Sequence, residues 1–190
     1  NVISGGSVIE GRGNFVLPDE EASAAMFEHT QARLIEAGMP AYEISNHAAP
    51  GAESRHNLVY WRYGDYAGAG PGAHGRFHDI SGRTFKTVTI TERHPETWLS
   101  QVEEVGHGII EEESLSRMQQ ADEFLLMGLR LTEGIDMPRF EALSGRTFNP
   151  KRLAVLQEEG MIEPVGNSRL RATPQGMILL DAVVADLAME

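Results

Sequence analysis

The residues best suited to chemistry lie in the sequence HNLVYW at residues 56–61. The imidazole of His56 can coordinate a metal such as haem iron, and the faces of Tyr60 and Trp61 suit a flat macrocycle. Asn57 places a polar amide beside them. The alternative is structural, with the two aromatic residues as packing residues and His56 as the cap of a loop. The sequence leaves both interpretations open.

A glycine-rich segment follows, GAGPGAHG at residues 68–75. Because they lack a Cβ atom, Gly68, Gly70 and Gly72 allow the backbone to approach a ligand closely. The same glycines also suit a tight turn and strand packing, and Pro71 removes one N–H that could have held a phosphate. They are candidates for cofactor contact, with a structural role as the alternative.

The composition excludes several classes of protein. The net charge of the 190 residues is −12, which repels the phosphate backbone of nucleic acids. There is no cysteine, so this chain forms no disulfide, no Cys-type zinc site and no Cys-ligated iron–sulfur cluster. No apolar run reaches the ~18 residues of a membrane span, and no hydrolase or kinase motif is present. We expect a cytoplasmic protein with no integral membrane segment and no nucleic-acid partner.

The elements before and after the histidine motif predict an α/β fold. Acidic residues after Pro18 begin a helix that ends near Gly38, and residues 42–46 read as a short buried strand. A helix that leads into a strand is typical of parallel sheets. We expect a loop over residues 47–57, followed beyond the glycines by a hairpin with Ser81 and Gly82 at its tip.

Helical patterns dominate from His94 onward. Helices are predicted over residues 96–105, 116–131, 137–143 and 150–159, followed by two strands around a turn at Gly166 and Asn167, and by a last helix from Pro174. This order is typical of a winged-helix-like domain.

The change in pattern divides the chain into three regions. Residues 1–93 form the α/β region, residues 94–113 a connecting helix and linker, and residues 114–190 a mainly helical, winged-helix-like domain. The acidic run at residues 111–113 is interpreted as a solvated linker or a helix start.

Four segments, taken in order, resemble one family. They are YEISN at residues 42–46 with the turn that follows, HNLVYW at 56–61, GAGPGAHG at 68–75 and FLLMGLRL at 124–131. In this order and at this spacing they resemble HemW-like proteins. These form the branch of the radical S-adenosylmethionine (SAM) family long labelled oxygen-independent coproporphyrinogen III oxidases. The match covers roughly residues 13–180.

The resemblance implies a fold and a set of cofactors. Residues 1–93 would be the C-terminal portion of a partial radical-SAM α/β barrel. In the family a CxxxCxxC loop holds a [4Fe–4S] cluster whose open iron binds SAM, and this chain contains no such loop. We therefore expect SAM, the cluster and haem in a full-length parent, and none of them in the isolated chain.

The resemblance also suggests binding residues. It places Ala48 against the SAM adenine, with the three glycines of the glycine-rich segment on the same side. The family's usual Phe and Arg around this alanine are replaced by His47 and Ala49, so a charged contact at that turn is in doubt.

The resemblance associates HNxxYW with haem. It implies a fragment of a haem chaperone that is not itself catalytic, with His56 as the candidate iron ligand, haem or porphyrin as the bound molecule, and a haem-acceptor protein as a partner. Two alternatives stay open. In the first, the parent is an oxygen-independent coproporphyrinogen III oxidase that acts by radical SAM oxidative decarboxylation. In the second, the C-terminal unit serves only for protein docking. The HNxxYW motif favours haem handling, and enzymatic activity of the parent is undecided.

Overall fold

The computed structural model describes residues 18–78 and 85–189, within two compact units, Asn1–Glu53 and Ser54–Glu190. The first unit contains helix α1 (Glu20–Glu36) and strands β1 (Ala41–Glu43) and β2 (Asn46–His47). The carboxylate of Asp19 accepts the N–H of Ala22 at 2.8 Å and caps α1. The helix predicted from Pro18 to Gly38 is therefore confirmed.

The two strands of the first unit pair antiparallel across a tight turn. Glu43 is fully buried, and its Oε1 accepts hydrogen bonds from the Ser45 N–H at 2.9 Å, from the Ser45 hydroxyl at 2.7 Å and from the Asn46 amide. These bonds bend the chain directly after β1. The single strand expected over residues 42–46 is thus two strands, and this pair is not the parallel start that the sequence pattern suggested.

The second unit begins with the helix that carries the histidine motif. Its first elements are α2 (Arg55–Trp61), β3 (His74–His78), β4 (Lys86–Thr91), α3 (Pro95–Val105) and β5 (Ile109–Ser114). The expectation of a loop up to residue 57 is wrong, because the Ser54 hydroxyl accepts the Asn57 N–H at 3.3 Å and starts the helix there.

Strands β3, β4 and β5 form an antiparallel sheet in that order. The predicted hairpin is confirmed by the pairing of β3 with β4, and its predicted tip at Ser81 and Gly82 lies outside the described residues. The acidic run at residues 111–113, interpreted as a linker or helix start, forms the exposed part of β5 opposite β4. The three-region division of the chain stays a prediction.

The remaining elements alternate helices with a second sheet. They are α4 (Arg117–Gly128), β6 (Ile135–Asp136), α5 (Met137–Ser144), α6 (Pro150–Glu158), β7 (Ile162–Val165), β8 (Arg169–Ala172), α7 (Pro174–Ile178) and α8 (Leu180–Ala188). The sheet has the order β6-β8-β7 and is antiparallel. The hairpin and the positions of the predicted helices are confirmed, but α4 ends at Gly128 instead of residue 131, and the single helix predicted from Pro174 is divided at Leu179 into α7 and α8. Strand β6 was missed because two residues give no alternating pattern. Along residues 18–78 and 85–189, no helix has the length and apolar character that crossing a membrane requires.

Helix α4 lies at the centre of the second unit's core and packs against α5 and α8. A capping box between Ser116 and Gln119 fixes its start. Phe124 and Leu125 are buried, but 48% of Leu126 is exposed. The apolar run at residues 124–127 is therefore not buried on all sides, since Leu126 lies on the outer side of the helix.

The difference in burial between Leu125 and Leu126 predicts unequal losses of stability for the same substitution at the two positions. Leu125→Ala should lower the free energy of unfolding by about 2–5 kcal/mol, because it leaves a cavity in a closed core. Leu126→Ala should change it by about 0.5 kcal/mol or less, as expected for an exposed position. Urea denaturation followed by circular dichroism measures both. Equal losses for the two variants would contradict the observed burial.

Candidate functional site

Helix α2 presents His56 and Tyr60 on one face, one helical turn apart. Their rings meet edge to face with centroids 4.8 Å apart, and Tyr60 meets Tyr66 in the same manner at 4.4 Å. His56 is exposed, and its imidazole nitrogens make no hydrogen bond within the described residues. Its ring is thus held by an aromatic contact while its nitrogens stay accessible to a ligand.

Trp61 lies on a different face of α2. Trp61 lies five positions after His56, which places the two side chains about 140° apart around a helix of 3.6 residues per turn. The Arg130 guanidinium lies over the Trp61 ring at 4.4 Å. The indole Nε1 is buried and has no hydrogen-bond partner among the residues that the structure describes. The four motif residues therefore do not form one aromatic cluster, because His56 and Tyr60 separate from Trp61.

Trp61 forms part of the wall of a cleft of about 360 Å³ in the second unit. The other lining residues are Arg62, Phe124, Gly128, Leu131, Glu133, Gly134, Ile135, Asp136, Arg139 and Arg169. Arg62 donates two hydrogen bonds to the Glu133 carboxylate, at 2.9 and 2.8 Å. These bonds from Arg62 hold the pKa of Glu133 below its ordinary value, so Glu133 stays ionised near neutral pH.

The turn directly after the motif is held by two cations. Tyr63 has a φ of 53°, a left-handed conformation that is costly for a residue with a side chain. The Nζ of Lys86 donates to the carbonyl oxygens of Tyr63 and Gly64, both at 2.8 Å. From α5, the Arg139 guanidinium donates to the carbonyls of Arg62 at 2.7 Å and Tyr63 at 2.9 Å.

Lys86 is the most unusual charged residue of this region, because its side chain is 0% exposed. Its Nζ lies 3.7 Å from the centre of the Tyr63 ring and 3.2 Å from Asp65 Oδ1. Burial lowers the pKa of Lys86, and the hydrogen bond to Asp65 opposes that shift. Sequence reasoning missed Lys86, because a lysine in an alternating strand gives no sign that it points inward.

The environment around Lys86 also shifts the pKa values of Asp65 and Tyr63. Burial raises the pKa of Asp65, but hydrogen bonds from His78 and Lys86 outweigh it and lower the pKa overall. Burial, then the nearby Glu123 carboxylate, raises the pKa of the Tyr63 hydroxyl far above its ordinary range. Tyr63 therefore stays neutral while Asp65 stays charged, which preserves the ion pair with Lys86.

Comparison with known proteins identifies the family. Residues 115–179 match the family model of the HemN C-terminal domain. The chain is 35% identical over 184 residues to the mitochondrial radical S-adenosyl methionine domain-containing protein 1 of Bos taurus, covering 93% of this chain and 41% of that protein. It is 33% identical over 171 residues to the heme chaperone HemW of Bacillus subtilis, covering 88% and 43%. The chain belongs to the HemW-like family.

A solved structure supports the fold of this HemW-like chain. The radical SAM enzyme HemN of Escherichia coli matches with a TM-score of 0.63 and 18% identity, over 90% of this chain and 42% of HemN. The resemblance drawn from the four sequence segments is thus confirmed, together with a mixed helix and strand fold. The chain spans about two fifths of the length of the curated relatives reported above.

The glycines of this HemW-like chain have local structural roles. A Cβ atom on Gly68 would lie 2.4 Å from the His74 carbonyl oxygen, so the close approach of β3 requires glycine there. Gly70 and Gly72 have φ values of 103° and 68°, and the Thr91 hydroxyl donates to the Gly70 carbonyl at 2.6 Å. These contacts favour the structural alternative for Gly68 and for the turn. A cofactor role for the glycines stays a prediction.

Ala48 follows β2 in the first unit and is half-buried. Its N–H donates to the Pro40 carbonyl at 3.2 Å, which closes the small β1-β2 hairpin. The suggested contact with the SAM adenine also stays a prediction.

The chain has two lysines, Lys86 and Lys151, which allow a matched test of how much the buried Lys86 stabilises the fold. Lys86→Met should lower the free energy of unfolding by about 1.5–3 kcal/mol, because carbonyl groups and Asp65 lose a charged hydrogen-bond donor. Lys151→Met, at an exposed position, should change it by about 0.5 kcal/mol or less. Thermal and urea unfolding measure the difference, and equal stability of the two variants would rule out a stabilising role for the buried Lys86.

Proposed function

We propose that this chain is part of a HemW-like haem-binding protein and that His56 supplies a ligand to the haem iron. The accessible imidazole of His56, within the HNLVYW sequence, is the observation that supports this most directly. The relatives from Bacillus subtilis and Mycobacterium tuberculosis, at 33% and 34% identity, carry the name heme chaperone HemW. Haem transfer by the whole protein is proposed on the same grounds.

The residues around His56 fit a haem-binding role. A neutral imidazole nitrogen coordinates iron, and haem supplies that iron when it is bound. The edge-to-face contact with Tyr60 orients the His56 ring, and a second edge-to-face contact with Tyr66 holds the Tyr60 ring in place. The short, capped helix α2 therefore offers a fixed and exposed ligand rather than a mobile loop residue.

We further propose that the first unit and the β3-β4-β5 sheet belong to a partial radical-SAM barrel in the parent, and that the region from α4 onward is winged-helix-like. SAM would approach Ala48, Gly68, Gly70 and Gly72. The cluster's thiolates would come from other parts of the protein, because these 190 residues include no cysteine. The Bos taurus relative is named as mitochondrial, so a cytoplasmic location of this chain stays a prediction.

No observation on this chain favours decarboxylase activity over haem binding. The likeness to HemN, at 18% identity, supports the fold and not the reaction. Haem binding is therefore the function proposed for this protein.

Titration with haem, followed by the Soret band, tests the role of His56. We expect one tight site in the full-length parent and a loss of about tenfold or more in its affinity for His56→Ala, because an iron–nitrogen bond is removed. The matched control is His107→Ala, which removes another exposed histidine. It should bind haem as the wild type does.

The comparison of the two histidine variants separates specific from loose binding. Unchanged affinity of His56→Ala would remove His56 from the site. Equal weakening of both variants would indicate adventitious binding by exposed histidines, and HNLVYW would then be a structural motif only.

A further inference from the structure

The cleft beside Trp61 carries more hydrogen-bond donors than acceptors. Its wall contains the guanidinium groups of Arg62, Arg139 and Arg169 but only the two carboxylates of Glu133 and Asp136. This local excess of one positive charge occurs in a chain whose net charge is −12. A positive cleft on an acidic protein concentrates an anionic ligand there rather than elsewhere on its surface.

Arg139 keeps most of its hydrogen-bonding capacity for a ligand. Its guanidinium donates to the carbonyls of Arg62 and Tyr63 and lies 5.1 Å from the centre of the Phe124 ring. None of these partners carries a negative charge, and the two bonds use two of five N–H donors. Arg139 is also exposed, so its remaining donors are open to an acceptor from solution.

Arg169 is held in a similar way. It donates to the carbonyls of Glu133 at 2.9 Å and Gly134 at 2.6 Å, and more weakly to the Glu133 carboxylate at 3.4 Å. Two of the three guanidinium groups are therefore fixed in place chiefly by neutral carbonyls. Such an arrangement orients Arg139 without neutralising it and leaves Arg169 only weakly paired with Glu133, which suits a binding site for an anion.

The indole of Trp61 adds a donor without an acceptor. Its buried Nε1 has no hydrogen-bond partner among residues 18–78 and 85–189, and a buried unpaired donor costs free energy. Trp61, Phe124 and Leu131 supply the apolar wall against which the carbon part of a ligand would lie.

We propose that this cleft binds the carboxylate group of a small organic acid. The planar guanidinium suits a carboxylate, and the presence of Glu133 and Asp136 favours a singly charged group over a phosphate dianion. The volume of about 360 Å³ is near the lower end of the ~300–1,000 Å³ of ligand sites. It fits a carboxylate arm or a small free acid, and is too small for a whole macrocycle.

Two sources can supply this carboxylate. One is a propionate arm of a porphyrin, in which case the inference rests on the proposed function and names a second contact of the same ligand. The other is a free dicarboxylate, which would make the cleft a separate site. The experiment distinguishes the two sources by using ligands with and without free carboxylates.

The ligand-side test uses Trp98→Phe, which leaves Trp61 as the single tryptophan of the chain. Its emission is followed during titration with metal-free protoporphyrin IX, with the dimethyl ester of that porphyrin, with glutarate and with inorganic phosphate. We expect the free-acid porphyrin to bind about tenfold more tightly than its ester.

The outcomes distinguish the two sources of the carboxylate. Tight binding of glutarate, together with equal binding of the porphyrin and its ester, would assign a free acid as the ligand. Equal binding of acid and ester together with no response to glutarate would overturn the proposal, as would phosphate binding more tightly than glutarate.

Substitutions in the cleft also test whether it binds a carboxylate. Arg139→Gln should weaken binding of the carboxylate ligand about tenfold, and Arg139→Lys, which restores the charge but not the planar guanidinium, should recover only part of that loss. The matched control is Arg152→Gln, which removes an arginine paired with Asp186 outside the cleft and should have no effect.

Glu133→Gln gives an effect that misfolding cannot imitate. Removing the carboxylate that partners Arg62 and Arg169 should tighten carboxylate binding severalfold, and unchanged or weaker binding would overturn the proposal. A wild type that binds glutarate but no haem would refute the proposed function alone, whereas His56-dependent haem binding without any carboxylate selectivity would refute the cleft alone.

Discussion

The position of the motif helix depends on one buried cation. Lys86 lies on β4, is 0% exposed, and hydrogen-bonds the two carbonyls that follow the end of α2. Burying an ammonium group is costly unless its protons are satisfied, and here the Tyr63 and Gly64 carbonyls and Asp65 satisfy them. The lysine therefore fixes the turn, and the turn fixes the direction in which α2 presents the histidine motif.

Arg139 binds the same turn from α5, so two parts of the second unit depend on it together. Lys86 connects the turn to the β3-β4-β5 sheet, while Arg139 connects it to the helices of the HemN C-terminal domain. The left-handed Tyr63 is held at the meeting point, with its ring beneath the lysine. A cost of ~1–3 kcal/mol for such a backbone conformation is tolerated where surrounding contacts determine it.

Much of the local structure was predictable because its causes are local. Caps, glycine stops and apolar periods located α1 and the helices from α3 onward, and the turn at Gly166 located the β7-β8 hairpin. The failures have a different origin. Helix α2 was assigned partly to a loop because its Ser54 cap follows a proline–glycine turn, and β5 was missed because three glutamates suggest a solvated segment. An edge strand tolerates such charges, since one side of it faces solvent.

The site was predictable in its residue types and not in its geometry. The sequence indicated His56, Asn57, Tyr60 and Trp61 as one group, because residues close in sequence were taken to face one ligand. On a helix, residues four apart share a face and residues five apart do not, so Trp61 separates from His56. Lys86, Arg139 and Glu133 were missed because each acts across more than 20 residues of sequence, and only the folded chain shows which carbonyls and carboxylates they meet.

The separation of the two faces changes what the motif can do. A single flat ligand on the His56 side would contact Tyr60, whereas Trp61 belongs with the arginines of the cleft. The rise of about 7.5 Å along five residues of helix separates the two positions further. A porphyrin has an iron at its centre and carboxylates at its rim, so its two kinds of polar group are also separated. The arrangement of α2 therefore fits the proposed ligand, with its metal held by His56 and its acid group held in the cleft that Trp61 lines.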